Sequence, residues 1–148
     1  MTKKRKPEIR ETSRALPIAL LRARETLMSP IRRMLAEIGL TEQKWRILRI
    51  LEECGQLEQT AISQRACLLL PSVTRITQSL ESQGLLVRSN DDTDKRKMMI
   101  KVTDEGRKIV RENMQLANEI YRKIETQLGR KKMDNLLDLL EELKDMEI

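Results

Sequence analysis

Histidine and phenylalanine are absent from the 148-residue chain, and the only other large aromatics are Trp45 and Tyr121. Without histidine the chain lacks the usual general base, the usual switch near neutral pH and the commonest metal ligand. Two cysteines thirteen positions apart, Cys54 and Cys67, do not supply a zinc finger or ribbon. Two aromatics cannot build a stacking platform for single-stranded nucleic acid. Five glycines leave little room for a phosphate-cradling loop, and neither GxGxxG nor a Walker pattern occurs. No run approaches the roughly 18 apolar residues that cross a bilayer. The N-terminus MTKKRKPEIR is basic but has no apolar h-region after it, so it reads as a fraying basic arm rather than an export signal. Both thiols then belong to a reducing cytoplasm and read as buried structural residues. No catalytic grouping, metal or cofactor is expected.

What is present is charge and helix. Lys and Arg number 29 against 23 Asp and Glu, giving a formal charge of +6. That balance suits a polyanionic partner. Glycine and proline punctuate helical patterns. A first helix is expected over about 11–38, with Leu16, Ala19, Leu20, Ala23, Leu27 and Met28 at helical spacing. Pro17 belongs in its first turn, and Pro30 is expected to kink or split it. Thr41 caps a second helix that carries Trp45, Ile47, Leu48, Ile50 and Leu51 and stops at Gly55. A short helix over about 58–67 follows, and then one that begins at Pro71 and closes at Gly84. Its inward stripe reads as Val73, Ile76 and Leu80.

The period then changes. Residues 85–88 and 98–102 read as strands of a hairpin whose tip is SNDDTDKRK. Thr103 caps a long helix in which Val110, Met114, Ala117, Tyr121, Ile124 and Leu128 are spaced 4, 3, 4, 3 and 4, a heptad seam. Gly129 breaks it before a last helix over about 131–146.

This order predicts a mainly α fold with a small β-hairpin wing. Residues 41–102 form a winged helix-turn-helix, residues 11–38 and 104–148 supply dimerisation helices, and the whole of 1–148 is one domain. The Pro71 helix presents Ser72, Thr74, Arg75, Thr77, Gln78 and Ser79 at the end that enters a major groove. Arginine reads guanine and glutamine reads adenine through paired hydrogen bonds. At the tip, Lys95, Arg96 and Lys97 suit phosphates or a narrow minor groove, and Asp94 is placed to orient Arg96.

PSVTRITQSLESQGLL (71–86), DDTDKRK and VTDEG resemble the MarR family of winged-helix repressors. The family's wing signature, Asp-x-Arg-Asp-x-Arg, falls on Asp91, Thr93, Asp94 and Arg96, with Thr93 replacing the first arginine. ALLRARETLMSPIR, LTEQKWRILRIL and RACLLLPSVTRI resemble the branch that represses homoprotocatechuate (hydroxyphenylacetate) catabolic operons. The resemblance implies a homodimer on a pseudo-palindromic double-stranded operator, released by an aromatic carboxylate held between dimerisation helices and winged domain. Arginine holds a carboxylate through two parallel bonds, so Arg24, Arg46 and Arg49, with Trp45 as the wall and Ser29 nearby, are the candidate ligand residues. Two other functions fit the composition: a non-specific architectural DNA-binding protein, and a winged helix used only for protein–protein contact.

Overall fold

Capping and left-handed glycines set most of the boundaries. In the computed structural model, which describes residues 8, 9 and 11–148, a single 3₁₀ turn (Thr12–Arg14) precedes α1 (Leu16–Glu37). The basic arm lies mostly outside the described residues. Then come α2 (Glu42–Cys54), β1 (Leu57–Glu58), α3 (Gln59–Ala66), α4 (Leu70–Ser82), β2 (Leu86–Asn90), β3 (Met98–Val102), α5 (Asp104–Leu128) and α6 (Arg130–Lys144). Thr41 Oγ1 accepts the Lys44 amide and Thr103 Oγ1 accepts the Gly106 amide, both at 3.2 Å, so each threonine satisfies an orphan donor of the helix it opens.

Two expectations are refined. Of the kink or split expected at Pro30, the split does not occur, and α1 runs through the proline as one helix. Ile31, Met34 and Leu35, just beyond the proline, are buried, and their packing holds the last turns in helical register despite the lost backbone bond. The hairpin also gains a third strand. β1 pairs with β3 through Leu57–Ile100 and Glu58–Met99, and the antiparallel order is β1-β3-β2. A two-residue strand is too short to carry an alternation signal.

The core gathers where α1, α2, α3, α4 and the sheet meet. Ile31, Leu35, Ile47, Leu48, Leu51, Ile62, Val73, Leu80, Leu86 and Ile100 are fully buried there. Each such aliphatic side chain stabilises the fold by about 1.5–3 kcal/mol relative to an exposed one. The ends of the chain are different. α6 buries no residue, and Leu16, Leu20, Leu21, Leu27, Leu128, Leu136, Leu137 and Leu140 are exposed. Among the described residues, no helix is long and apolar enough to cross a membrane.

The start of α5 is knotted to the start of the wing. Thr103 Oγ1 donates to the Gly84 carbonyl at 2.7 Å, and the Thr103 amide donates to the Leu85 carbonyl at 3.1 Å. A Cβ on the buried Gly106 would lie 2.1 Å from the Leu85 oxygen. That backbone cannot yield without breaking the knot, so Gly106→Ala is expected to destabilise the fold by about 1–3 kcal/mol, read as a lowered thermal midpoint.

Candidate nucleic-acid interface and ligand cavity

The joint between α3 and α4 is built from backbone geometry. The Leu68 amide donates to the Ser63 carbonyl at 3.1 Å and the Cys67 amide to the Gln64 carbonyl at 3.4 Å, a Schellman pair that ends α3. Cys67 takes φ 53° and ψ 47°, the left-handed conformation usually left to glycine. Ser63 Oγ donates to the Leu68 carbonyl at 2.6 Å, and Gln59 Nε2 donates to Thr74 Oγ1, so α3 is stitched to both the turn and α4. Cys67 itself is exposed and Cys54 half-buried, which corrects the reading of both as buried thiols. Residue 67 is fixed by its backbone, and its side chain has no core to enter.

On α4, Arg75 and Gln78 are exposed, and Ser72, Thr74 and Ser79 are half-buried. Thr77 does not join them. It is fully buried between Val73 and Leu80 on the inward face, and its hydroxyl donates to the Val73 carbonyl at 2.8 Å. Residues 73, 77 and 80 follow the i, i+4, i+7 stripe, and Ile76 lies at its edge. A threonine was read as outward because it is polar, yet its back-bonded hydroxyl needs no solvent. Beside α4 lies an open cleft of about 500 Å³ whose other wall is Thr41, Gln43 and Lys44 from the start of α2. Nothing local in the sequence marks Thr41, which reads only as a cap, or Gln43 and Lys44 as neighbours of α4.

At the wing, Lys95, Arg96 and Lys97 are all exposed. Asp94 grips Arg96 as expected, accepting from its Nε at 3.2 Å and from its backbone amide at 3.1 Å. The Arg96 guanidinium beside Asp94 holds that carboxyl below the usual carboxylate value. Thr93 Oγ1 donates to Asp91 at 3.2 Å, so the substituted position still bonds within the turn. A second brace was not foreseen. Glu81 of α4 accepts the Arg88 amide at 2.9 Å and its Nε at 3.2 Å, tying the wing to the helix before it.

Arg24, Trp45, Arg46 and Arg49 line one cavity of about 130 Å³, together with Met28, Ile31, Glu42 and Tyr121. Ser29 does not line it. Arg24, Met28 and Ile31 share one face of α1, and Ser29 is turned about 100° from Met28, toward Arg33. The three arginines differ in occupation. Glu42 accepts from Arg46 Nη2 at 2.9 Å, pairs with Arg24, and faces Arg32 Nη1 at 3.4 Å. Arg49 has no carboxylate partner among the described residues, and its guanidinium carbon lies 6.0 Å from the centre of the Tyr121 ring. In the sequence Tyr121 reads as a member of the heptad seam, and Glu42 is an acid in the first turn of α2. Helical spacing puts Glu42 on the face of Trp45 and Arg46, at i+3 and i+4, whereas no local pattern joins Tyr121 to them.

An exposed polar helix held by a helix-turn-helix joint, with a basic wing braced against it, defines a winged-helix DNA-binding protein. The chain belongs to the MarR family, whose model matches residues 40–98. It is 42% identical to the HTH-type transcriptional regulator FarR of Neisseria gonorrhoeae, over 90% of this chain and 91% of the relative. It is equally, 42%, identical to the homoprotocatechuate degradative operon repressor of Escherichia coli, over 86% of each. Among solved structures, NadR in complex with 4-hydroxyphenylacetate superposes with a TM-score of 0.82 at 40% identity, covering 95% of this chain and all of that one. The protein is therefore a MarR-type transcriptional repressor related to the homoprotocatechuate operon repressor.

The left-handed residue at the joint offers a direct test. Cys67→Gly removes a Cβ from a conformation that costs an L-residue about 1 kcal/mol, and the thiol it deletes is exposed. A rise in stability of about 0.5–1 kcal/mol in urea denaturation is expected; a loss would mean that the thiol packs in the folded state.

Proposed function

We propose that the protein represses an aromatic-acid catabolic operon as a twofold dimer on a pseudo-palindromic operator, and that a phenolic carboxylic acid releases it. The cavity carries this reading. It combines an arginine free of carboxylate partners among the described residues with Trp45 and Tyr121, the only two aromatics of the chain. A relative of 42% identity represses the homoprotocatechuate operon, and a structural neighbour of 40% identity holds 4-hydroxyphenylacetate. In this reading Arg49 takes the carboxylate, and Trp45 and Tyr121 bracket the ring. Arg24 and Arg46, already on Glu42, set the surrounding positive field. The protein works by binding, not by catalysis, and in the cytoplasm.

Dimerisation falls to residues 11–38 and 104–148. Their leucines are uncovered in a single chain, and a second apolar hollow of about 230 Å³, lined by Leu27, Tyr121, Ile124 and Met133, opens between α1, α5 and α6. A twofold axis sets the two recognition helices about one turn of DNA, ~34 Å, apart. Ser72, Thr74, Arg75 and Gln78 face base edges and phosphates. Lys95, Arg96 and Lys97 follow the backbone, with Asp94 fixing the direction of Arg96.

Sedimentation of the protein with the duplex upstream of its own gene should give two chains per site. A scrambled duplex should bind at least ~1000-fold more weakly at physiological salt. Arg75→Ala should weaken operator binding by about 1–3 kcal/mol and relax one position per half-site. Arg96→Ala should weaken all sequences alike and lower the salt slope by about one per wing. Equal affinity for both duplexes would instead make the protein an architectural binder, and no affinity for either would make it a protein-contact module.

Trp45 is the only tryptophan, so its fluorescence reports on the cavity. Titration with 4-hydroxyphenylacetate should change that fluorescence and lower operator affinity together, and linkage requires the operator to weaken ligand binding by the same factor. Arg49→Ala should weaken the ligand roughly 10- to 100-fold, the loss of one charge-assisted pair. Unchanged fluorescence and unchanged operator affinity at saturation would remove the effector from the proposal.

A further inference from the structure

We infer that Arg46 is the positioning residue through which the cavity sets the helix-turn-helix joint; the inference rests on the effector reading above for its ligand, though not for its geometry. The guanidinium faces two ways. Nη2 donates to Glu42 Oε1 at 2.9 Å, and Glu42 lines the cavity. Nη1 donates to the Ala66 carbonyl at 2.7 Å. Ala66 is the last residue of α3, and the left-handed Cys67 comes next. α4 begins at Leu70. The donors of arginine lie on one rigid plane, so a turn of the fork toward one partner moves it off the other.

Glu42 is the hub on the cavity side. It also pairs with Arg24 of α1 and lies 3.4 Å from Arg32 of the same helix, and its side chain is only 10% exposed. An anionic ligand brings a second carboxylate among these guanidiniums. With the ligand carboxylate on Arg49, its charge repels the Glu42 carboxylate, Arg46 shifts with the partner it holds, and the plane of the fork carries the change to Ala66. The carbonyl at the end of α3 then loses or redirects its donor. The turn it anchors is the one that aims α4, so the recognition helix shifts with no contact between ligand and α4.

The test uses the full-length protein and three variants, Arg46→Met, Arg46→Lys and Glu42→Gln. Methionine keeps most of the aliphatic stem and removes every donor. Lysine keeps the charge, but a single ammonium lacks the fork that serves Glu42 and Ala66 together. The first readout is the coupling factor, the ratio of operator affinities without and with 4-hydroxyphenylacetate. Each variant is measured at its own saturation, so a change in ligand Kd does not enter. The second readout is the rate at which Ellman's reagent modifies Cys67 in a Cys54→Ser background, a local probe of the turn. A wild-type coupling in the usual 5- to 150-fold range should fall toward one in both Arg46 variants. The Cys67 rate should change in the ligand-free protein. A residue that only contacts ligand or only stabilises the fold would shift Kd or the thermal midpoint and leave the coupling factor alone. Wild-type coupling and wild-type Cys67 rate in Arg46→Met would overturn the inference. Should that variant not fold, Arg46→Lys carries the same comparison.

The two readings fail separately. If wild-type protein ignores 4-hydroxyphenylacetate, the effector reading falls. The ligand-free cycle of Arg46→Met, Glu42→Gln and the double variant then decides the inference through operator affinity and the Cys67 rate. Non-additive effects support a single path from Glu42 through Arg46 to the turn, and additive or absent effects overturn it.

Discussion

One carboxylate holds the architecture together where it matters for regulation. Glu42 opens α2, and the guanidiniums of Arg24, Arg32 and Arg46 gather on it from two helices. The carboxylate is mostly buried while its three guanidinium side chains are 30–46% exposed, so the pairs add little net stability. They do fix geometry, since leaving one partner unpaired is expensive. Here the geometry fixed is the angle between α1, which carries part of the uncovered apolar surface, and α2, whose neighbour α3 begins the helix-turn-helix. Ile31 and Leu35 of α1, fully buried in the same core as Ile47, Leu48 and Leu51 of α2, fix that angle together with the carboxylate.

The uncovered leucines follow from the same division of labour. The core that Ile47, Leu48, Leu51, Ile62 and Leu80 form is sized for the winged region and the second half of α1. Among the described residues, nothing is left over to cover α6 or the first half of α1. Tyr121 borders both the ligand cavity and the apolar hollow beside α6, so the surfaces proposed for dimerisation and ligand share a side chain. Altering the packing at one is felt at the other, because close-packed side chains transmit displacement rather than absorb it.

Local chemistry was legible in the sequence, and contacts between distant segments were not. Thr41 and Thr103 announced themselves as caps because a cap needs only its own residue type and the next turn. Asp94 and Arg96 lie two apart in one turn, and their bond could be read directly. Thr77 misled because polarity was taken for exposure, although periodicity placed it with Val73 and Leu80. Ser29 misled because nearness in sequence was taken for nearness in space, although one residue along a helix is a turn of about 100°. β1, the pairing of Glu42 with Arg24 and Arg32, the place of Tyr121 and the Glu81–Arg88 brace depend on which segments fold against each other. Only the resemblance to a family gave any hint of that, and it gave no distances.

The Glu81–Arg88 brace decides what a shift at the joint does to the DNA-facing surface. Glu81 sits near the end of α4 and takes both the amide and the side chain of Arg88 in β2. β2 and β3 pair along their full length, from Leu86–Val102 to Asn90–Met98. A rotation of α4 therefore carries the wing with it. The exposed residues of α4 and those of the wing are thereby held in one frame, and a small turn at Cys67 would displace both sets at once. Under the proposed effector mechanism the ligand need not touch the DNA-facing residues: a joint stiff enough to aim two elements and a single hydrogen-bonded fork able to re-aim them would suffice.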